Sequence, residues 1–159
     1  MNVRRSIAAA AILLAAPVLA SCGFGEQTDQ VYNAAAGVDN RSGSVYVLNA
    51  LIVSGSNGSG TVVASLVNSD EQNNDALTGI TGITGDGLTV NGPSRTALPA
   101  GGNVNLSDLG RYSASGRDVV PGKFVKLTFT FQRAQQVTLD VPVMSSSNPD
   151  YSSVPLPKS

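Results

Sequence analysis

Residues 121–143 read PGKFVKLTFTFQRAQQVTLDVPV, and this stretch decides the fold. Pro121-Gly122 opens it as a turn, and Phe124, Val125, Leu127, Phe129 and Phe131 then supply apolar positions in a run rich in Val, Phe and Thr. QRAQQ interrupts the run, and the segment from Val137 onward resumes it. Two β-rich runs broken by a short polar connection predict paired strands. Pro142 lies inside the second run and lacks a backbone N–H to give to a ladder, which predicts an edge position for that strand.

Working outward, SVYVLNALIVSG (44–55) places Val45, Val47, Asn49 and Leu51 on one face and Tyr46, Leu48, Ala50 and Ile52 on the other. Both faces are largely apolar, as expected of a central strand. SGSNGSG punctuates the chain, and TVVASLVNS follows as a second strand, so this pair predicts a hairpin. Shorter strands are expected around Leu77–Ile83, around Leu88–Val90 and near Val104, where apolar and polar residues alternate. The doubled TGI is too short to signal a solenoid. No segment after the amino-terminal region has convincing helical periodicity. The expectation is therefore an all-β, antiparallel β-sandwich of cupredoxin- or immunoglobulin-like type, with about seven strands.

The amino terminus has a different character. Arg4 and Arg5 precede an apolar run from Ile7 to Leu19 that contains Pro17, followed by the small residues Ala20 and Ser21. The run is shorter than the roughly twenty residues a spanning helix requires, and reads as a secretory signal. Leu19-Ala20-Ser21-Cys22 resembles the lipobox of bacterial lipoproteins, in which cleavage precedes a cysteine whose thiol carries diacylglycerol. That resemblance makes Cys22, the single cysteine of the chain, the lipid attachment site. The alternative is an unmodified cysteine beside an ordinary cleavage site. No disulfide can form within the chain. The expected organisation is a signal peptide over 1–21, a lipidated flexible tether over 22–42, the sandwich over 43–145 and a Ser/Pro-rich tail over 146–159. An extra edge strand around Val31 and Tyr32 is the alternative within the tether. The tail reads as extended or disordered, with docking on a partner as its alternative.

Net charge is −1 and the cations are scattered, so no basic stripe marks a nucleic-acid partner. The chain has no histidine, which excludes a Ser-His-Asp triad and the usual zinc and copper sites. GSNGSG and GITGDG are rich in glycine but lack the following helix and lysine of a phosphate loop. NSDEQNND gathers Asp70, Glu71 and Asp75, hard oxygen donors suited to calcium. It lacks the spacing, turn glycine and distal glutamate of an EF-hand, and reads as a solvated loop. No catalytic residue and no metal ligand is expected.

The run L-x-x-G-x-x-V-x-L (98–106), followed by P-G-x-x-V-x-L-T-F-x-F (121–131) and V-x-L-x-V-P-V (137–143), resembles the periplasmic PCu(A)C copper chaperones. Within that family it looks most like the actinobacterial lipoprotein branch, over residues 44 to 144. The resemblance implies a cupredoxin-like sandwich and, in the family, a copper(I) site that includes a His-x-Met pair after a G-G-Y-like turn. Gly110-Arg111-Tyr112 occupies the place of that turn, so the pair falls at Ser113 and Ser115. Neither side chain is a soft ligand of the kind copper(I) prefers, and residues 77 to 98 hold no histidine or methionine. Copper is thus implied by resemblance alone, and no cofactor is expected. The functional expectation is a non-enzymatic lipoprotein on the outer face of the cytoplasmic membrane, exported and lipid-anchored, whose sandwich binds an envelope protein or other ligand. The alternative is a copper handler using atypical ligands or those of a partner. An interaction module should expose an apolar or aromatic patch, for which Tyr112 and Tyr151 are the candidates.

Overall fold

The computed structural model describes residues 36–56, 58–83, 87–109 and 112–157. The signal segment, Cys22, Val31, Tyr32, Gly110 and Arg111 lie outside the described residues. Ten strands are present among those described: β1 (Val38–Asn40), β2 (Val45–Ser56), β3 (Ser59–Asn68), β4 (Asp75–Gly82), β5 (Thr89–Asn91), β6 (Thr96–Leu98), β7 (Asn103–Asn105), β8 (Ser113–Ser115), β9 (Phe124–Phe131) and β10 (Val137–Ser145). A single helical turn, α1 (Leu106–Leu109), and a 3-10 turn (Pro149–Tyr151) complete the set. The class is all-β as expected, and the count exceeds seven because short strands β1, β5, β6, β7 and β8 fringe the longer ones.

The strands run in the order β5-β8-β3-β2-β10-β9-β4-β6, with β1 beside β2 and β7 beside β3. Every pairing is antiparallel except β10 with β2, which is parallel. Here the structure corrects the edge position expected from Pro142. β10 lies between two partners, and it changes partner at the proline. Val137 to Pro142 face β9, and Val143 to Ser145 face β2. Val143 donates its N–H to Lys123 O and accepts from Gly122 N. Backbone groups alternate in direction along a strand, so the nitrogen of Pro142 points away from β9, toward a side where pairing with β2 has not begun. The missing donor costs nothing there. β1 takes up the edge of β2 just before that point, with Val38 opposite Ala50 and Asn40 opposite Val47. The segment read as a tether therefore contains a strand.

The inner faces of the two layers form one core. From β9 come Val125, Leu127, Phe129 and Phe131; Leu77 and Ile80 of β4 lie across from them, and Val62, Ala64 and Leu66 of β3 close the other side. By its register with β3, β2 turns Val45 and Val47, then Ala50 and Ile52, to this core, while Leu51 and Val53 are equally buried on its other face. That switch from odd to even positions is a β-bulge: Leu48 pairs with Ser65 but Leu51 pairs with Val63, so β2 uses one more residue than β3. The bulge is built on Asn49, whose φ is +50°. Asp39 Oδ1 accepts from Asn49 N at 2.7 Å, and Asn49 Oδ1 accepts from Gly37 N at 3.1 Å. A second slip lies between Leu77 and Gly79, and it likewise keeps Leu77 and Ile80 on the inner face.

At the end away from the β2–β3 turn, NSDEQNND is only partly a solvated loop. Asp70 and Glu71 are at the surface, but Asp75 is 5% exposed. Its carboxylate accepts from the backbone N–H of Ala76, Arg133 and Ala134 at 2.7 to 2.9 Å, which clamps the β9–β10 connection to the start of β4. Asn68 is buried nearby and donates through Nδ2 to Asn73 O and Pro99 O. Asp70, whose pKa is held below the ordinary carboxylate value chiefly by the amide of Asn73, turns the exposed part of the loop.

Asp75→Ala removes the side-chain acceptor of these three N–H groups, of which that of Ala76 is buried and those of Arg133 and Ala134 are part-buried. Each unsatisfied buried donor costs about 1–3 kcal/mol. Urea unfolding of the variant is expected to show a loss of about 3 kcal/mol, with an m-value unchanged from the parent.

Candidate functional site

Three connections meet at the β2–β3 end of the sandwich. Gly58 sits in the hairpin turn with φ +91°, a conformation that disfavours any residue with a Cβ. Its N–H donates to Val119 O and its carbonyl accepts from Gly116 N. Gly116 in turn lies against Gly87, where a Cβ would approach Gly87 O to 3.0 Å. GSNGSG is the hairpin turn between β2 and β3, whereas β4 and β5, on either side of GITGDG, do not pair with each other; the glycines bring the starts of β3 and β5 and the end of β8 together.

β8 runs into this end. Ala114 faces inward and is buried, while Ser113 and Ser115 face outward. Ser113 stands opposite Thr61 on one side and Asn91 on the other; Ser115 stands opposite Ser59 and Thr89. The row offers hydroxyls and one amide. Met144 shares a cross-strand row with Val53, Thr61 and Ser113, but three strand spacings of ~4.8 Å put it about 14 Å from Ser113. It packs against the core instead. No group of three or more His, Cys, Asp or Glu converges among the described residues. A copper(I) ion is held by thioether, thiolate or imidazole, and the donors around Ser113 and Ser115 do not fit it.

Neither tyrosine forms an exposed aromatic patch. Tyr112 is 2% exposed, its ring over Gly92 and its hydroxyl 2.7 Å from Thr96 Oγ1. It is a core residue with a satisfied polar tip. Tyr151 is half-buried in the tail and packs against the core, and desolvation, followed by the nearby Asp150 charge, pushes its pKa above the ordinary phenol value. The tail itself is not loose through Pro155 and Leu156. Thr61 Oγ1 donates to Pro155 O at 2.6 Å, and Leu156 fills the space a Cβ on Gly55 would need.

The large apolar side chains left exposed among the described residues are Phe124 (65%), Leu156 (41%), which lies against Gly55 in the tail, and Ile83 (40%); Phe124 and Ile83 share the outer face of β9 and the strand end beside it. Ile83 N donates to Lys126 O, and Phe124 and Lys126 share the outer face of β9 two residues apart, with the Lys126 amine turned toward Asp140 of β10. Leu88 packs under Gly82, in space a Cβ would occupy. Leu88, Phe124, Val125, Lys126, Asp118 and Asp140 line a cavity of roughly 220 Å³. Its charges are paired: Lys123 Nζ lies 2.8 Å from Asp118 Oδ1, and Lys126 Nζ lies 3.3 Å from Asp140 Oδ1. The sequence signal for this patch is Phe124 itself. It is the one phenylalanine of KFVKLTFTF out of phase with Val125, Leu127, Phe129 and Phe131, and hence on the outer face.

Comparison with known proteins follows the fold. No family model matches the chain, and no curated protein matches it. Among solved structures, the chain is similar to the copper-bound PCuAC domain from PmoF2, with a TM-score of 0.57 and 19% identity over 68% of this chain and 98% of that one. It is also similar to the apo PCuAC domain from PmoF1, with a TM-score of 0.56 and 16% identity over 68% of this chain and 99% of that one. The apo PmoF2 PCuAC domain gives a TM-score of 0.52 and 17% identity. The architecture is therefore PCuAC-like, in agreement with the resemblance read from the sequence, and at these identities the likeness is one of fold.

The Lys123 contact has a measurable signature. The hydrogen bond from Lys123, reinforced by its charge, holds the Asp118 carboxyl below its ordinary value of 3.8. A carboxyl with a depressed folded-state pKa adds stability above its unfolded pKa and loses it as pH falls through the folded one. In Lys123→Ala the Asp118 carboxyl titration, followed by NMR, should move up toward the ordinary value, leaving only the weaker contact with Arg117.

Proposed function

We propose that this chain is a lipid-anchored, non-enzymatic protein of the cell envelope, which presents a PCuAC-like sandwich as a binding or interaction module rather than as a copper carrier. The observation that carries this reading is the outward row of β8, where Ser113 and Ser115 stand among Thr61, Ser59, Asn91 and Thr89. A strand that would have to supply soft donors supplies hydroxyls. The exposed Phe124 and Ile83 at the same end give a module of this kind its apolar contact surface. The absence of histidine from the sequence rules out a Ser-His-Asp triad.

The anchor rests on Leu19-Ala20-Ser21-Cys22, and the address that follows is the outer face of the cytoplasmic membrane. On this reading the chain falls in the actinobacterial lipoprotein branch of the fold. Two acyl chains on one thiol give stable attachment where a single chain is marginal. The likeness to a copper-bound PCuAC domain favours a second reading, copper handling with ligands lent by a partner, which the donor chemistry around β8 opposes.

Cys22→Ser is expected to shift the protein from the membrane fraction to the soluble fraction and to remove the acyl mass from the mature chain. Wild-type protein that is soluble and carries no lipid mass would refute the anchored reading.

A further inference from the structure

We infer that the Phe124–Ile83 end of the sandwich docks on the bilayer surface, with Phe124 entering the headgroup boundary and the Lys123 and Lys126 amines lying at headgroup level. This rests on the lipid-anchor reading of Cys22 and deepens it by giving the domain an orientation.

Three observations converge on a lipid surface as the occupant. The first is the gradient along the outer face of the layer formed by β4, β9 and the first half of β10. Near the β2–β3 end that face carries Phe124 and Ile83; farther along it carries Thr81, Thr128 and Thr138, the last two joined through their hydroxyls at 2.9 Å. A protein lying along the sheet would call for an apolar face along its length. A membrane boundary calls for apolar side chains at one end only, backed by residues with an apolar body and a polar or charged tip. KFVK has that composition, an exposed aromatic flanked by two lysines.

The second observation is charge. Arg117, Lys123 and Lys126 at this end are matched by Asp118, Asp140 and, in the connection between Ile83 and Gly87, Asp86, whereas the opposite end carries Asp70, Glu71 and Asp75 against Arg95 and Arg133. The Phe124 end is thus close to neutral and the opposite end acidic, so an anionic bilayer repels the opposite end and leaves the Phe124 end free to approach.

The third is where the chain enters. β1 is antiparallel to β2, with Val38 opposite Ala50 and Asn40 opposite Val47, so the amino-terminal end of β1 is directed toward the β2–β3 end of the domain. The residues between Cys22 and Gly37 span at most roughly 50 Å. An anchor at that distance holds the patch at high effective concentration over the lipid, so weak apolar contact suffices to dock it.

The chain contains no tryptophan, which makes Phe124→Trp a single fluorescent reporter at a site exposed enough to accept it without repacking. The variant of residues 22–159, coupled through its only thiol at Cys22 to vesicles of phosphatidylcholine, phosphatidylglycerol and a maleimide-headgroup lipid, reproduces the anchored geometry whether or not the cell acylates it. The expected result is a blue shift of the Trp emission on coupling and its quenching by bromine-labelled acyl chains. An emission spectrum unchanged by coupling would overturn the docking while leaving the anchor reading to the fractionation of Cys22→Ser. A blue shift that grows with protein concentration before any vesicle is added would also overturn it, by assigning the patch to self-association.

Discussion

The parallel pairing of Val143, Met144 and Ser145 with Ile52, Val53 and Ser54 is the contact on which the two layers depend. Without it, β9, β4 and β6 would form one antiparallel sheet with the first half of β10, and β2, β3 and their neighbours another. One strand that hydrogen-bonds to both layers fixes their relative position and lets Val141 and Val143 enter the same core as Phe129 and Ile52. The proline at the crossover is part of how this works. It removes an N–H at the position where neither ladder claims one, and β1 then covers the stretch of β2 that β10 has not yet reached. Parallel pairing closes contacts between residues far apart in the chain, and such non-local pairings form late and slowly in folding.

The long strands were legible in the sequence because their composition and turns are unambiguous. PGKFVKLTFTF gave β9 in phase, and SGSNGSG marked the hairpin between β2 and β3. The misreadings have a common cause in single-residue irregularities. Strict alternation through SVYVLNALIVSG puts Val47 and Leu51 on one face, whereas the bulge at Asn49 moves Ala50 and Ile52 to the inner face beside Val47. No local signal in the sequence separates a bulged strand from one apolar on both faces. Pro142 was read through a rule for strands with one fixed partner on each side, and β10 exchanges its partner at that residue.

Ser113 and Ser115, the positions to which the resemblance pointed, fall on the outward face of β8, where the neighbouring side chains are hydroxyls and the Asn91 amide. The tyrosines were misassigned because an aromatic hydroxyl reads equally well as a surface contact or as a satisfied core residue, and the Thr96 partner that settles Tyr112 lies on another strand. Phe124 carries the opposite lesson. Its phase relative to Val125 and Leu127 was visible in the sequence, and the whole outer surface of the second layer follows from that phase. Asp75 was grouped with its acidic neighbours, although its partners, the Arg133 and Ala134 amides, lie far along the chain.

On the proposed reading, the fold and the chemistry part company at β8, whose outward row carries alcohols and one amide. Titration of residues 23–159, purified without a histidine tag, with copper(I) against a competing chromophoric chelator tests this separation most directly. The account predicts that the chelator retains the metal, with no stoichiometric transfer to the protein. Tight one-to-one binding would contradict it and would place a copper site on this frame in spite of Ser113 and Ser115.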